Sequence, residues 1–337
     1  MNVYFTVDTE SSMGGAWIHP GRRPLKADRH VFCRIGGEDF GIGRISQIMS
    51  RCGFHATYFV ETLATRVNGD DDTRSIFDFL LERGEDVQLH LHPTYHFYAE
   101  ALAANKANRR YDPPQPNDFL GALPEGRQME LLEQGAMLFR RFSGRSPKAF
   151  RAGCFAAGLA TLRCLRTLEI PLDTSFNPCY CSCSFPGETL APNQVQQIEG
   201  VWELPPTVAQ SPLREGFGGF KPADPVSLSV TELRLMLETG VAQGQQHFVI
   251  VFHSFSMVKP KDETYGAMRP NRIVIRRLEN LMQYLASRSD LYRVSTFGDA
   301  AGLMAFQETA AAPIAQLGLL AAGLRKSIQG LNRYYWV

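Results

Sequence analysis

The sequence predicts an α/β fold: a distorted (β/α) barrel of about seven parallel strands, followed by a C-terminal helical appendage. Three observations predict it. Apolar β-forming runs alternate with helical patterns along most of the chain, and titratable residues gather at the C-terminal ends of those runs. No G-x-G-x-x-G follows the first run, as a doubly wound open sheet, the runner-up architecture, would favour.

Asn2 to Asp8 is an apolar run of β-formers. Ile42, Ile45, Met49 and Cys52 recur at helical spacing, Gly53 stops that helix, and Phe54 to Val60 returns to a strand pattern, which completes one βαβ unit. A helix over Ile76 to Arg83 ends at Gly84, and a strand over Asp86 to His92 ends at Pro93. A long helix starts near Pro124, a good first-turn residue, and runs to Ser143; a short strand follows over Lys148 to Arg151. Leu159 to Leu168 is helical, Pro171 to Ser175 extended, and Val201 to Val208 a strand interrupted by Pro205 and Pro206. Thr231 to Ala242 and Asn271 to Arg288 are helices, each followed by a strand, over His247 to Ser254 and Tyr292 to Thr296. Asp70, Asp71 and Asp72 read as a solvated helix entry.

Three segments, Thr94 to Leu123, Pro178 to Gln197 and Ser211 to Ala223, break the rhythm. Each follows the C-terminal end of a strand, where a barrel builds its substrate walls. Residues 1–305 are expected to form the catalytic barrel and 306–337 a helical extension, in which Leu317, Leu320, Leu324, Ile328 and Leu331 recur at helical spacing. Packing of that extension against the barrel is the first expectation; a homo-oligomer contact or a membrane-surface contact is the alternative.

Composition excludes several classes. The 337 residues carry 35 Lys+Arg against 34 Asp+Glu, a formal net charge of +1, so no basic field exists to gather phosphates and nucleic acid is not an expected partner. MNVYFTV meets Asp8 and Glu10 at once instead of placing basic residues before an apolar run, and no stretch of about 18 apolar residues occurs. Neither a secretory signal nor a transmembrane segment is expected, and the expected location is cytoplasmic. Seven cysteines, an odd number without framework spacing, agree with a reducing compartment. Cys179, Cys181 and Cys183 read as a thiol-rich loop, because no second pair of thiols folds back to close a metal site.

Buried strands avoid titratable residues, so their clustering at strand ends needs a reason. The first strand ends Asp8-Thr9-Glu10, the third His90-Leu91-His92, the fourth Phe150-Arg151, the fifth Asp173-Thr174-Ser175, and the strand from His247 ends His253-Ser254. In a barrel these ends converge on one mouth. Asp8 with Glu10, and His90 with His92, are period-2 pairs, so each pair projects to one side of its strand. Two histidines and a carboxylate leave coordination positions open, as in a catalytic zinc, iron or cobalt centre that activates water. A lone Asp at a strand end is usually a helix cap and a lone His a hydrogen-bonded core residue. The conjunction of all these groups at one end is what argues for a site.

The order TVDTE, HATYFVE, DVQLHLHP, FRAG, LDTS and VFHS resembles the polysaccharide deacetylase family (carbohydrate esterase family 4), whose members remove N- or O-acyl groups from sugars. It extends over roughly residues 2 to 300. The resemblance implies a distorted, usually seven-stranded barrel and a divalent metal, most often zinc, with Co, Ni, Fe or Mn as alternatives. It implies Asp8 as general base. The family's metal-binding Asp would fall at Thr9, so Glu10 is taken as its substitute. His90 matches the first metal histidine; the second would fall at Thr94, so His92 is taken in its place, with His96 as the alternative. Arg151 matches an arginine that pairs with the base, the backbone N–H of Cys154 takes the oxyanion role, and Asp173 matches an acidic position supporting the general acid, His253. Tyr95 and Trp202 are taken as substrate-binding aromatics, with Phe97, Tyr98, Tyr111 and Phe119 near the mouth.

The function this implies is a metal-dependent hydrolase removing an N-acetyl group from an amino sugar, a sugar-containing small molecule or a carrier-linked glycan. A deformylase or other linear-amide hydrolase on the same barrel is one alternative. A catalytically silent sugar-binding protein is the other, and Thr9 and the irregular histidine spacing would be its signature.

Overall fold

The computed structural model describes residues 1–19, 21–104, 118–180, 185, 190–213, 217–303, 306–309 and 314–334. Nine strands among these form one curled sheet: β1 (Asn2–Thr9), β2 (Thr57–Glu61), β3 (Asp86–Leu91), β4 (Ala149–Ala152), β5 (Leu172–Asp173), β6 (Gln196–Ile198), β7 (Val201–Glu203), β8 (His247–His253) and β9 (Arg293–Ser295). Their order across the sheet is β8, β1, β2, β3, β4, β5, β7, β6, and β9 pairs with the first residues of β1. Neighbours are parallel except in the β6–β7 hairpin. The chain leaving β7 reaches the opposite edge: Thr207 N–H donates to the Val249 carbonyl at 3.0 Å, and Val249 N–H donates to Thr207 Oγ1 at 2.9 Å. These bonds curl the sheet into the distorted barrel that the alternation predicts.

Every residue of β2 and β3 is buried, and so is every residue of β1 after Asn2. A parallel sheet covered on both faces requires this, and it explains why these strands read as continuous apolar runs. Helices Ile42–Ser50, Asp70–Leu81, Glu125–Ser143, Leu159–Thr167, Val230–Ala242 and Arg272–Ser287 form the outer layer and send Ile45, Phe77, Leu131, Leu162, Leu233 and Leu278 into the main core. Parallel register then aligns the polar strand ends. Asp8 lies opposite His253, Glu61 opposite His90, His90 opposite Arg151, and Asp173 opposite Glu203.

The structure differs from expectation in four places. Thr94 to Leu123 is not wholly irregular, because helix Pro93–Ala103 starts within a residue of β3, with Pro93 in its first turn where a missing N–H costs nothing. The stretch from Val201 to Val208 is not one strand; the two prolines, which cannot donate to a ladder, separate β7 from the short strand Val208–Gln210. Asp72 is not simply solvated, since both its oxygens accept from Ala27 N–H at 3.1 Å. Finally, Leu317 lies in the core ahead of the C-terminal helix Leu319–Tyr334, whereas Leu320, Leu324 and Leu331 on that helix face outward.

Gly41 shows how tightly the strand-end loops are held. Its N–H donates to the Phe32 carbonyl at 2.8 Å, and a Cβ there would overlap the Val31 carbonyl oxygen. Backbone cannot move aside as a side chain can. Gly41→Ala should therefore destabilise the fold by about 1–3 kcal/mol, seen as a lower urea midpoint at an unchanged m-value.

Candidate metal centre and active site

Period-2 alternation sends Asp8 and Glu10 from β1, and His90 and His92 from β3, towards the barrel mouth. Glu10 Oε2 lies 2.5 Å from His92 Nε2 and 3.1 Å from His90 Nε2. The far side of each ring is fixed by a different partner. His90 Nδ1 is 2.8 Å from the Arg151 carbonyl oxygen, which can only accept, and His92 Nδ1 is 2.8 Å from Asp118 Oδ2. Each ring therefore carries its proton on Nδ1 and turns Nε2 towards Glu10. Burial opposes the ionisation of Glu10, but the two histidines outweigh it and hold the carboxyl well below its usual range. Burial likewise opposes charge on His92, and Asp118 and Glu10 outweigh it, raising its pKa well above the ordinary value.

This donor set fits a divalent cation. Glu10, His90 and His92 each offer one ligand atom, all within 4.8 Å of one another. In the neutral form each of these rings would turn its Nε2 lone pair on a carboxylate oxygen, an acceptor facing an acceptor. A proton on His92 relieves this in part; a cation would displace that proton and satisfy all three groups. One carboxylate and two imidazoles leave positions open for water and substrate.

Several supporting groups carry no spacing signal and were not singled out from sequence. Asp118 takes His92 Nδ1–H on one oxygen and Thr94 N–H on the other at 3.1 Å, the carboxylate–histidine arrangement that fixes a metal-facing ring. Glu61 accepts the N–H groups of His92 and, at 2.5 Å, Leu63; burial pushes its carboxyl up to about 8 despite the pull of His92. His30 Nδ1 lies 2.7 Å from the Glu10 carbonyl, and burial pushes its pKa down to about 4, so at neutral pH the ring holds Glu10 as a neutral donor.

Beside this centre, Arg151 Nη1 donates to Asp8 Oδ1 at 2.6 Å, with both side chains almost wholly enclosed. The guanidinium lies over Phe59, 4.5 Å from the ring centroid, and its Nη2 donates to Thr174 Oγ1 at 3.3 Å. The second oxygen of Asp8 is 3.8 Å from His253 Nε2. The Phe255 ring stands between His253 and His30, with centroids 5.1 and 4.2 Å away.

Gly153, Cys154 and Phe155 form a tight turn after β4, and both Cys154 and Phe155 have φ near 55°, a strained region for residues with a Cβ. Gly153 is required by contact: a Cβ there would come within 2.5 Å of His92 Nδ1.

Four residues named from sequence lie elsewhere. His96 is buried against Arg66 and Arg127, its Nδ1 2.9 Å from Arg66 Nη1 and its Nε2 2.9 Å from Glu100 Oε1, so helix Pro93–Ala103 carries it away from Glu10. Asp173 does not hold His253; its oxygens take the Ser175 hydroxyl at 2.7 Å and the Ser175 N–H at 3.3 Å, and it pairs with Glu203. Burial and the neighbouring Asp173 raise the Glu203 carboxyl far above its usual range. Tyr95 is enclosed in the main core. Trp202 packs on Phe306, which in turn faces His247 at the start of β8, the end of the barrel opposite the mouth. Of the remaining aromatics, Phe119 is exposed, and Tyr98 is buried with its hydroxyl on the Arg22 carbonyl at 3.2 Å. Tyr111, Cys181 and Cys183 lie outside the described residues. Cys179 is buried, which pushes its thiol up to about 12.

No protein-family model matches the chain, and no curated protein does. Solved structures do. A Mycobacterium smegmatis protein described as a polysaccharide deacetylase matches at 15% identity and a TM-score of 0.51, covering 93% of this chain and 94% of that one. A Parabacteroides distasonis protein described as a glycoside hydrolase/deacetylase matches at 11% identity and a TM-score of 0.59, covering 92% of this chain and 72% of that one. At such identities the likeness is one of fold: the chain has the barrel of these deacetylase structures.

Because Asp118 fixes the proton on His92, Asp118→Ala should weaken zinc affinity by about 10–100-fold, read by competition with a chromogenic chelator. Gly153→Ala should weaken it through displacement of the His92 ring, with the Asp8–Arg151 pair left in place.

Proposed function

We propose that this protein is a divalent-metal-dependent hydrolase that removes an N-acetyl group from an amino sugar or a sugar-containing molecule. The observation that carries this reading is the meeting, at one barrel mouth, of the Glu10, His90 and His92 donor set with an arginine-held carboxylate and a histidine. The likeness of fold to deacetylase structures supports it. Zinc is the proposed metal, because imidazole and carboxylate donors with open positions suit it.

A cation held by Glu10, His90 and His92 would supply Lewis acidity, polarising the acyl carbonyl and easing the ionisation of water. The chain's own groups do the rest. Asp8 accepts the proton of the attacking water. Arg151 occupies one oxygen of Asp8, which leaves the other oxygen on the His253 side as the base. The backbone N–H of Cys154 donates to the oxyanion as the carbonyl becomes tetrahedral, a role independent of the side chain. His253 gives its proton to the departing amine, which is too poor a leaving group without it. Asp173 acts at a distance: through Ser175 Oγ, which accepts Ala152 N–H at 2.9 Å, it positions the strand end that carries Arg151.

His253→Ala and Asp8→Asn should each lower kcat about a hundredfold or more in an acetate-release assay on N-acetylated chito-oligosaccharides, while bound metal measured by plasma mass spectrometry stays stoichiometric. Glu10→Ala and His90→Ala should lose the metal itself. Chelation should abolish acetate release, and added zinc or cobalt should restore it. A protein that binds no metal yet retains the sugar would be the silent binder instead.

A further inference from the structure

Helix Leu319–Tyr334 sits on the barrel with its amphipathic character reversed. Several of its polar residues face the protein, Lys326 and Ser327 being exposed: Arg325 is 1% exposed, and its Nε donates to the buried Glu232 Oε1 at 3.1 Å. Gln329 Nε2 donates to the carbonyls of Val226 and Ser227 at 3.3 Å, and Lys259 Nζ donates to the Asn332 carbonyl at 3.1 Å. Its apolar residues face outward, with Leu320 90%, Leu324 64% and Leu331 60% exposed. A leucine stripe would seat on the barrel without the desolvation that a buried ion pair demands. The fold alone therefore does not account for this orientation, and the exposed stripe calls for a partner of its own.

Charge indicates which partner. From Thr309 to Val337 the sequence contains Arg325, Lys326 and Arg333 and no Asp or Glu. Ile328 joins the stripe to a cavity of about 320 Å³ between helix and barrel, whose lining includes Lys259 and Arg277 and no carboxylate. Burial, with Arg269 nearby, holds the Lys259 ammonium below its ordinary pKa, while Glu232 and Asp224 act on Arg277 from behind the cavity. A second copy docked on a two-fold axis would set these cations against themselves. An anionic bilayer offers the leucines an apolar boundary and the cations phosphates. The helix is not long and apolar enough to cross a membrane, which leaves it in the interface plane.

We propose that Leu319–Tyr334 docks this protein on an anionic membrane surface, with Leu320, Leu324 and Leu331 entering the boundary between headgroups and acyl chains and an anionic headgroup seated beside Ile328 against Lys259 and Arg277. The docking is independent of the hydrolytic chemistry. The test is co-sedimentation of the full chain with vesicles of equal parts phosphatidylglycerol and phosphatidylcholine, and with phosphatidylcholine alone. The chain should pellet with the mixed vesicles, stay in solution with the neutral ones, and leave the mixed vesicles as salt is raised. Combining Leu320→Gln, Leu324→Gln and Leu331→Gln, all at exposed positions, should cut partitioning at least about tenfold with the circular dichroism spectrum and Tm unchanged. Lys326→Glu should weaken it as well. Absence of binding to either vesicle, or equal binding to both, overturns the proposal. So does a dimer in sedimentation velocity that the triple substitution converts to monomer.

Discussion

Two hydrogen-bond acceptors behind two imidazoles set the character of this molecule. The Arg151 carbonyl and Asp118 each occupy the Nδ1 side of a histidine, and so both Nε2 atoms must face Glu10. Much of the surrounding structure serves this geometry. Strand β4 brings the Arg151 carbonyl beside His90 through parallel pairing, Glu61 anchors the backbone at His92, and neutral His30 holds the Glu10 carbonyl. Without the Arg151 carbonyl or Asp118 behind it, a ring would be free to adopt the other tautomer, and the donor set would no longer converge.

A second layer of charge lies directly beneath. Arg151 is enclosed and pairs with Asp8 above, while Asp173 and Glu203 lie below with Ser175 between them and the strand. An arginine buried this deeply would be costly without compensation. Asp8 supplies an opposite charge, the Thr174 hydroxyl an acceptor, and the Phe59 ring a face for the cation. Burial and Asp173 together push the Glu203 carboxyl far above its usual range, away from its charged form, which limits the competition with Asp8 for the guanidinium. Strand-end polarity in this barrel is thus a stack of mutually neutralising groups rather than a ring of independent ones.

The C-terminal helix follows the same electrostatic logic with a different outcome. Glu232 belongs to the capping box of helix Val230–Ala242, where its Oε2 takes the Ser229 N–H at 2.8 Å, and its other oxygen takes Arg325. A local helix-start device is thereby extended into a long-range tether. Once Arg325 is committed inward, helical periodicity obliges Leu320, Leu324 and Leu331 to face away from the barrel.

By itself the sequence determined the alternation of strands and helices and the apolar core, because burial on both faces of a parallel sheet imposes continuous hydrophobic runs that can be read residue by residue. It also determined that Asp8 and Glu10, and His90 and His92, each project to one side, because a strand repeats every two residues. Which histidine meets Glu10 was left open between His92 and His96, and the helix beginning at Pro93 decided it by rotating His96 towards Arg66 and Glu100. The partners Asp118 and His30, the position of Asp173 below the site rather than behind His253, and the outward leucines of the last helix were decided only by tertiary structure. Each depends on a contact between segments far apart in the chain, and such contacts leave no periodic trace in the order of residues.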